Sequence, residues 1–344
     1  MTPALPDPVV STGSMPSRAR VRSALDDAHT RFLANDEGDP ASHYPALAAV
    51  PRHLFGLAVA DVSGSVHTAG DADHPFTIMS VAKPFVLALT CQAIGIEQVR
   101  ARVGVNSTGL PFDSIMAVEL HPDRLSNPMV NTGALATTSL IPGATADAKW
   151  RAIQDGLSRF AGRELAVDDE IYRSASSSNQ RNRGLARFLE AYDRLFFDAI
   201  ETVDLYTRQS SLAVTARDLA VMGATLADGG VNPLTRERVV EAATCTHVLA
   251  IMATAGLYQT SGDWLVDVGL PGKSGVGGGI VAVAPGKGGL GTFAPPLDAA
   301  GNSVKGQLAA AFLSRSLGLD LFASAPVERS GSAGVATGAW TADR

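Results

Sequence analysis

Hydrophobic residues recur along the chain with two periods, and the switches between them predict its elements. Val21, Leu25, Ala28 and Phe32 fall on one face of an amphipathic helix. Residues 1–19 ahead of it are rich in Pro, Ser and Thr and read as a disordered extension. Asp36 to Pro45 reads as a loop. Leu54 to Val62 is nearly continuous in apolar residues, the pattern of a buried strand. Ser63-Gly64-Ser65 then makes a turn and Val66 to Ala69 a returning strand. Phe85 to Leu89 is apolar on every side, which predicts a buried helix opened by Ser80, with Pro84 in its first turn.

Helical patterns dominate residues 95–213, a mainly helical subdomain. Two polar clusters, Asn127 to Asn131 and Ser174 to Arg183, stand at the mouths of helices there. Asn127 and Asn179 read as ordinary caps. Thr215 and Asp218 form a capping-box start for a helix ending at Gly229-Gly230. Another helix is expected over 235–255. A glycine-rich run from Leu270 to Gly279 leads into a strand, Ile280 to Ala284. Pro285 to Gly288 turns the chain into the next strand, Leu290 to Phe293. A last helix covers 303–317, with Leu308 and Phe312 on one face. Residues 325–344 are Gly-, Ser- and Ala-rich and read as a flexible tail. The expected architecture is α+β: one catalytic domain over 20–324, an antiparallel sheet flanked by helices, with the helical subdomain inserted at its side.

Composition narrows the class. With 344 residues, 46% of them hydrophobic, the chain can bury a large core. A net charge of −6 and no long basic run argue against nucleic acid. Cys91 and Cys245 lie far apart in apolar surroundings and read as reduced core residues. No secretory h-region occurs in the first twenty residues, and no run is long enough to span a membrane, so a soluble cytoplasmic protein is expected. The seven histidines are scattered and show no metal-ligand spacing; neither metal nor cofactor is expected. His29, His67 and His247 read as surface or packing residues.

The chemistry lies in Ser80 and Lys83. Their S-x-x-K spacing is nearly one helical turn, so hydroxyl and amine share a face. Burial lowers the pKa of a lysine, and a neutral amine beside a serine can take its proton and make it a nucleophile. Lys273-Ser274-Gly275 adds a second motif. It resembles the strand that serine β-lactamases and penicillin-binding proteins pair with S-x-x-K.

Longer runs narrow the resemblance. Asn127-Pro128-Met129-Val130-Asn131-Thr132-Gly133-Ala134, Arg181-Asn182-Arg183, Asp204 to Ser211, Met222 to Pro233, Lys273 to Ile280 and Pro295 to Gly306 closely resemble the serine-dependent glutaminase family, in order, across residues 21–322. The resemblance implies a β-lactamase-like fold and hydrolysis of L-glutamine to glutamate and ammonia without a cofactor. It implies that Ser80 is the nucleophile, Lys83 its base and Tyr258 the proton shuttle to the leaving ammonia. The backbone N–H groups of Ser80 and Val276 would form the oxyanion hole. Asn131, Asn182 and Tyr206 match substrate-binding positions. A homo-oligomer, dimer or tetramer, is also implied.

Two positions depart from the family pattern. Ala175 stands where a glutamate is usual, the acidic partner of the substrate α-ammonium. His43 stands where a tyrosine is expected, with Tyr44 beside it; its imidazole is available for the hydrogen bond that tyrosine makes. Losing one partner of a buried charge pair costs about 2–5 kcal/mol, roughly thirtyfold to several thousandfold in affinity. Asp168, Asp169 or Glu170 is a replacement acid if the loop shifts. Three functions therefore follow in order: a glutaminase with altered recognition, a serine amidase for an amide lacking a free α-ammonium, and an impaired ligand-binding homologue.

Overall fold

The computed structural model describes residues 13–42 and 44–324. The extension before Gly13, the tail from Ala325 and His43 lie outside the described residues. Helix α1 (Arg18–Phe32) starts two residues inside the stretch read as disordered, capped by Ser17. A short helix α2 (Pro45–Ala48) follows, then strands β1 (Gly56–Asp61), β2 (Val66–Gly70) and β3 (Phe76–Thr77). Asp61 Oδ1 accepts from the N–H groups of Ser63 (2.8 Å) and Ser65 (3.0 Å), which fixes the turn between β1 and β2. A 3-10 turn, Met79–Val81, runs into α3 (Ala82–Ile94).

The helical half comprises α4 (Ile96–Val103), α5 (Met116–Glu119), α6 (Asn131–Ser139), α7 (Ala146–Ala161), α8 (Asp169–Ser177), α9 (Gln180–Ala191) and α10 (Ala199–Ser210). The two-residue strand β4 (Ala213–Val214) returns the chain to β3. Then come α11 (Ala216–Ala227), α12 (Ala242–Ala255), a 3-10 turn at Tyr258–Thr260 and α13 (Ser261–Val268). Strands β5 (Gly272–Ser274), β6 (Gly279–Ala284) and β7 (Gly288–Phe293) precede α14 (Val304–Leu317).

Five strands form one antiparallel sheet in the order β2-β1-β7-β6-β5. Alternation along each strand divides its side chains between two layers. Leu57, Val59, Ile280, Ala282 and Leu290 share a core with Leu25 of α1 and Leu313 of α14. Ala58, Ala60, Val281, Val283 and Phe293 face α11. Both faces are covered, which is why β1 reads as an unbroken apolar run. At Gly289 and Gly291 of β7 the α11 face is glycine, because the helix lies directly on the strand there. A Cβ on Gly291 would stand 2.0 Å from the carbonyl oxygen of Ala216, and one on Gly289 2.3 Å from that of Ala220.

Helix α3 is buried all round, Phe85 packing at 5.1 Å against Phe160 of α7. It lies between the sheet half and the helical half, and the β3–β4 ribbon ties its entry turn to the end of α10. This is the α+β arrangement expected above, an antiparallel sheet flanked by helices with a mainly helical half beside it.

Three local expectations differ from the structure. Residues 235–241 are a turn and a bridge, not the start of α12. Asn232 Oδ1 accepts from the N–H groups of Leu234 (2.9 Å) and Thr235 (3.1 Å), and Arg236 is left-handed at φ 60°, so no helix can continue through them. On α14 the buried face is Ala309, Ala310, Leu313 and Leu317, while Leu308 is 37% exposed. Asn127 pins the turn before α6 by accepting from Met129 N–H and donating to Asn106 O, both at 2.9 Å, rather than capping the helix.

Candidate active site

Ser80 sits in the turn that feeds α3, one residue after Met79. Met79 is buried and left-handed, at φ 46°, a conformation a non-glycine residue holds only under tertiary constraint. The constraint is visible. Ile78 N–H donates to Leu212 O on one side, and the Gly275–Gly277 loop closes on the other. A Cβ on Gly275 would lie 3.1 Å from Ile78 O and 3.2 Å from Ser80 N, and one on Gly277 2.6 Å from Thr77 O. Glycine therefore lets the segment after β5 reach the nucleophile turn.

Lys83 is 2% exposed. Burial drives its pKa down to about 7, against the upward pull of the Asp113 carboxylate. Its Nζ donates to Asn131 Oδ1 at 2.8 Å. Asn131 belongs to a relay whose donor directions are fixed from its far end. Thr207 Oγ1 donates to Val203 O within α10 (2.7 Å), so it accepts from Asn179 Nδ2 (2.7 Å). Asn179 Oδ1 accepts from Asn182 Nδ2 (2.7 Å), and Asn182 Oδ1 from Asn131 Nδ2 (3.0 Å). Asn131 must then present its carbonyl oxygen to Lys83, and Tyr206 OH donates to the same oxygen at 3.2 Å. An acceptor facing Nζ engages an N–H in either protonation state, so the lone pair of the neutral amine points elsewhere.

The phenol oxygens of Tyr206 and Tyr258 both lie against Ser80. Burial raises Tyr206 far above the usual phenol range, and pushes Tyr258 up to about 12. Both are therefore protonated at neutral pH. Tyr258 OH donates to Ser274 O at 3.2 Å, and its ring packs at 4.8 Å on Phe112. Lys273, with no exposure, donates to Gly256 O (2.8 Å) and Ser274 O (2.7 Å) below the Tyr258 ring. Burial, then the charge of Lys83, lowers Lys273 well below an ordinary lysine. Val276 follows the Lys273-Ser274-Gly275 strand and packs in a small cluster with Met79, Ile171, Leu297, Tyr44 and Phe112.

The structure thus gathers Ser80, Lys83, Tyr258, Asn131, Asn182, Tyr206 and Val276 around one point. Sequence reasoning missed three neighbours. Asn179 occupies the N-cap position of α9, yet its side chain makes no capping bond and serves the relay instead. Its i,i+3 spacing from Asn182 was the available signal. Thr207 ends the relay. Tyr44 is half-buried in the cluster with Met79 and Val276, so an aromatic hydroxyl stands one residue from the departure at His43, itself outside the described residues.

Ala175 is 2% exposed and faces inward from α8. The three acids weighed as replacements do not come to it. Asp168 caps the N-terminus of α8 through the N–H groups of Glu170 and Ile171, and Asp169 and Glu170 are exposed in the first turn. Among the described residues no cluster of three or more His, Cys, Asp or Glu suits a metal, and no helix is long and apolar enough to cross a membrane. Cys91 and Cys245 are both free and buried.

Residues 38–322 match the family model described as Glutaminase. Glutaminase 2 of Yersinia pestis is 62% identical over 317 residues, covering 92% of this chain and 93% of its own. Glutaminase of Brucella canis is 49% identical over 302 residues, covering 88% of this chain and 95% of its own. A solved structure described as probable glutaminase ybaS superposes with a TM-score of 0.88 at 43% identity, over 90% of this chain and all of that one. The glutamate form of Mglu superposes with a TM-score of 0.84 at 38% identity, over 90% of this chain and 72% of that one. The chain belongs to the glutaminase family.

Proposed function

We propose that the protein hydrolyses L-glutamine to L-glutamate and ammonia through a Ser80 acyl-enzyme. The observation that carries the reading is Lys83: a fully buried amine poised at about 7, held by an acceptor-only contact, on the helix that Ser80 opens. Neutral Lys83 takes the Ser80 hydroxyl proton as Oγ attacks the side-chain amide carbon. The N–H groups of Ser80 and Val276 hold the oxygen of the tetrahedral intermediate. Tyr258, protonated because its burial raises it to about 12, passes a proton to the amide nitrogen, which leaves as ammonia. The proton held by Lys83 returns to Tyr258; Lys83, neutral again, takes a proton from the water that attacks the ester carbon and gives it to Ser80 Oγ as glutamate departs. Asn131, Asn182 and Tyr206 line the substrate side. A glutamate form of Mglu among the similar structures supports the same ligand class here.

A second reading is favoured by Ala175: a serine amidase for a related amide without a free α-ammonium. The reading extends to a homo-oligomer, dimer or tetramer, by family resemblance, and to the cytoplasm, where two free buried cysteines fit a reducing compartment. The test is ammonia release from millimolar L-glutamine, with Ser80→Ala as control. Release that depends on Ser80 supports the glutaminase. Turnover of N-acylated or des-amino glutamine faster than glutamine turns the reading to the amidase. No turnover of either leaves the scaffold a binding protein.

A further inference from the structure

An amino-acid substrate brings an α-ammonium into the site, and position 175 offers it only a methyl group. We propose that Asp113 supplies the carboxylate that holds this ammonium. The proposal rests on the glutaminase reading above.

The loop that carries Asp113 is anchored to the site on three sides. Phe112 O accepts from Asn131 N–H at 2.7 Å, which ties the loop to the first residue of α6. The Phe112 ring packs on Tyr258 and belongs to the small cluster with Tyr44 and Ile171. Ile171 is one helical turn before Ala175 on the same face of α8, so the loop meets the site at its Ala175 end. Arg181, next to Asn182 in α9, donates through Nε (3.2 Å) and Nη2 (2.7 Å) to the Asp113 carbonyl. The guanidinium therefore fixes the loop mainly through backbone. It stands 3.3 Å from Asp113 Oδ2 and leaves Oδ1 with no hydrogen bond among the described residues.

The charge of Asp113 also reaches the site, where it raises the pKa of Lys83 against the effect of burial. The Asp113 side chain is 39% exposed, open to a ligand and able to lose that water when one binds.

Three other acids are committed to structure. Asp298 Oδ1 accepts from the N–H groups of Ala300 and Asn302, and its Oδ2 from Gln307 Nε2, all at 2.9 Å. Asp204 accepts from Tyr172 OH at 2.6 Å and pairs with Arg208 at 2.8 Å. Asp168 caps α8. Compared with these three, Asp113 combines a fixed backbone, an oxygen with no hydrogen bond to a described residue and a place at the Ala175 end.

The experiment compares ligands that differ only in the ammonium. Binding of L-glutamate and of glutarate is measured by calorimetry on the full chain and on Asp113→Asn, with ammonia release from L-glutamine run in parallel. Asp113→Asn is expected to weaken L-glutamate about tenfold to a hundredfold, to leave glutarate unchanged, and to raise KM for glutamine more than it lowers kcat. Adding Ala175→Glu to Asp113→Asn is expected to restore part of the L-glutamate affinity. Equal weakening of both ligands would make Asp113 a structural residue and overturn the proposal, as would no weakening of either. Calorimetry keeps the two readings apart. A chain that binds L-glutamate through Asp113 but releases no ammonia refutes the glutaminase reading and leaves the anchor standing.

Discussion

Replacing Lys83 by methionine is expected to abolish turnover and yet stabilise the fold. The wild-type amine falls from 10.5 in the unfolded chain to about 7 on burial. The folded state therefore binds fewer protons than the unfolded one between these values, and stability rises with pH across that window. Below about pH 7 the full penalty applies. A shift of roughly 3.5 units at about 1.36 kcal/mol each amounts to about 5 kcal/mol, an order-of-magnitude figure. Against it stands one lost hydrogen bond to Asn131, worth about 1–1.5 kcal/mol, whose acceptor keeps Tyr206 OH as a partner. Methionine fills a similar volume, so the cavity cost is small.

Lys83→Met should therefore gain about 2–4 kcal/mol at pH 7. Relief of Lys273, whose own depression includes the charge of Lys83, adds to that gain. Denaturant unfolding of both proteins at pH 7 and pH 10 is the assay. The difference should shrink markedly at pH 10, where the wild-type penalty has mostly gone. A variant less stable than wild type at pH 7, or a gap independent of pH, would refute a buried neutral amine. The same titration sets the activity profile: kcat/KM for glutamine should rise through a limb near pH 7 as Lys83 becomes neutral, and since Tyr258 holds its proton to about 12, the first falling limb should belong to the α-ammonium of the substrate.

Two further outcomes test the supports of the site. Asn179→Leu cuts the relay and frees Asn131 to turn its NH2 towards Lys83, so kcat should fall on the order of ten- to a hundredfold and the limb near pH 7 should move down; an unmoved limb would reduce Asn179 to packing. Gly291→Ala pushes a methyl into the carbonyl of Ala216 and should destabilise by about 1–3 kcal/mol or more, read as a Tm several degrees lower by calorimetry with the site chemistry intact.

How much of this was legible follows from what each feature depends on. Ser80 and Lys83 are a local pair, one turn apart, and the role proposed for them follows from spacing and the apolar run behind them. The sheet could be read for the same reason: β1 and β2 are joined by a turn whose Ser-Gly-Ser sequence states its conformation, and β6 and β7 by Pro285 to Gly288. Where side chains act across the fold, local rules gave the wrong answer. Asn179 obeys the rule for a cap by position, but Asn182 and Thr207, brought to it by α9 and α10, compete for its amide and win. Residues 235–241 have helical composition, but Asn232 holds their N–H groups in a turn.

The departures at 43 and 175 show the same limit in functional terms. Read in sequence, each removes a group from the amino-acid end of the site, and two losses together argue for altered recognition of glutamine. In space the losses are unequal. Tyr44, one residue from His43, packs on the cluster of Met79 and Val276, so a half-buried phenol stays at that wall of the site whatever the imidazole does. Ala175 has no such neighbour on its own helix: Asp168 is spent on the cap, and Asp169 and Glu170 face water. A charge lost from one wall of a pocket can be supplied from another, because an ammonium needs a carboxylate within contact distance and not at a particular position of the chain. With Asp113 as the proposed anchor, selectivity for a free α-ammonium turns on the loop before α5 rather than on α8, and the chemistry around Ser80 is compatible with either answer.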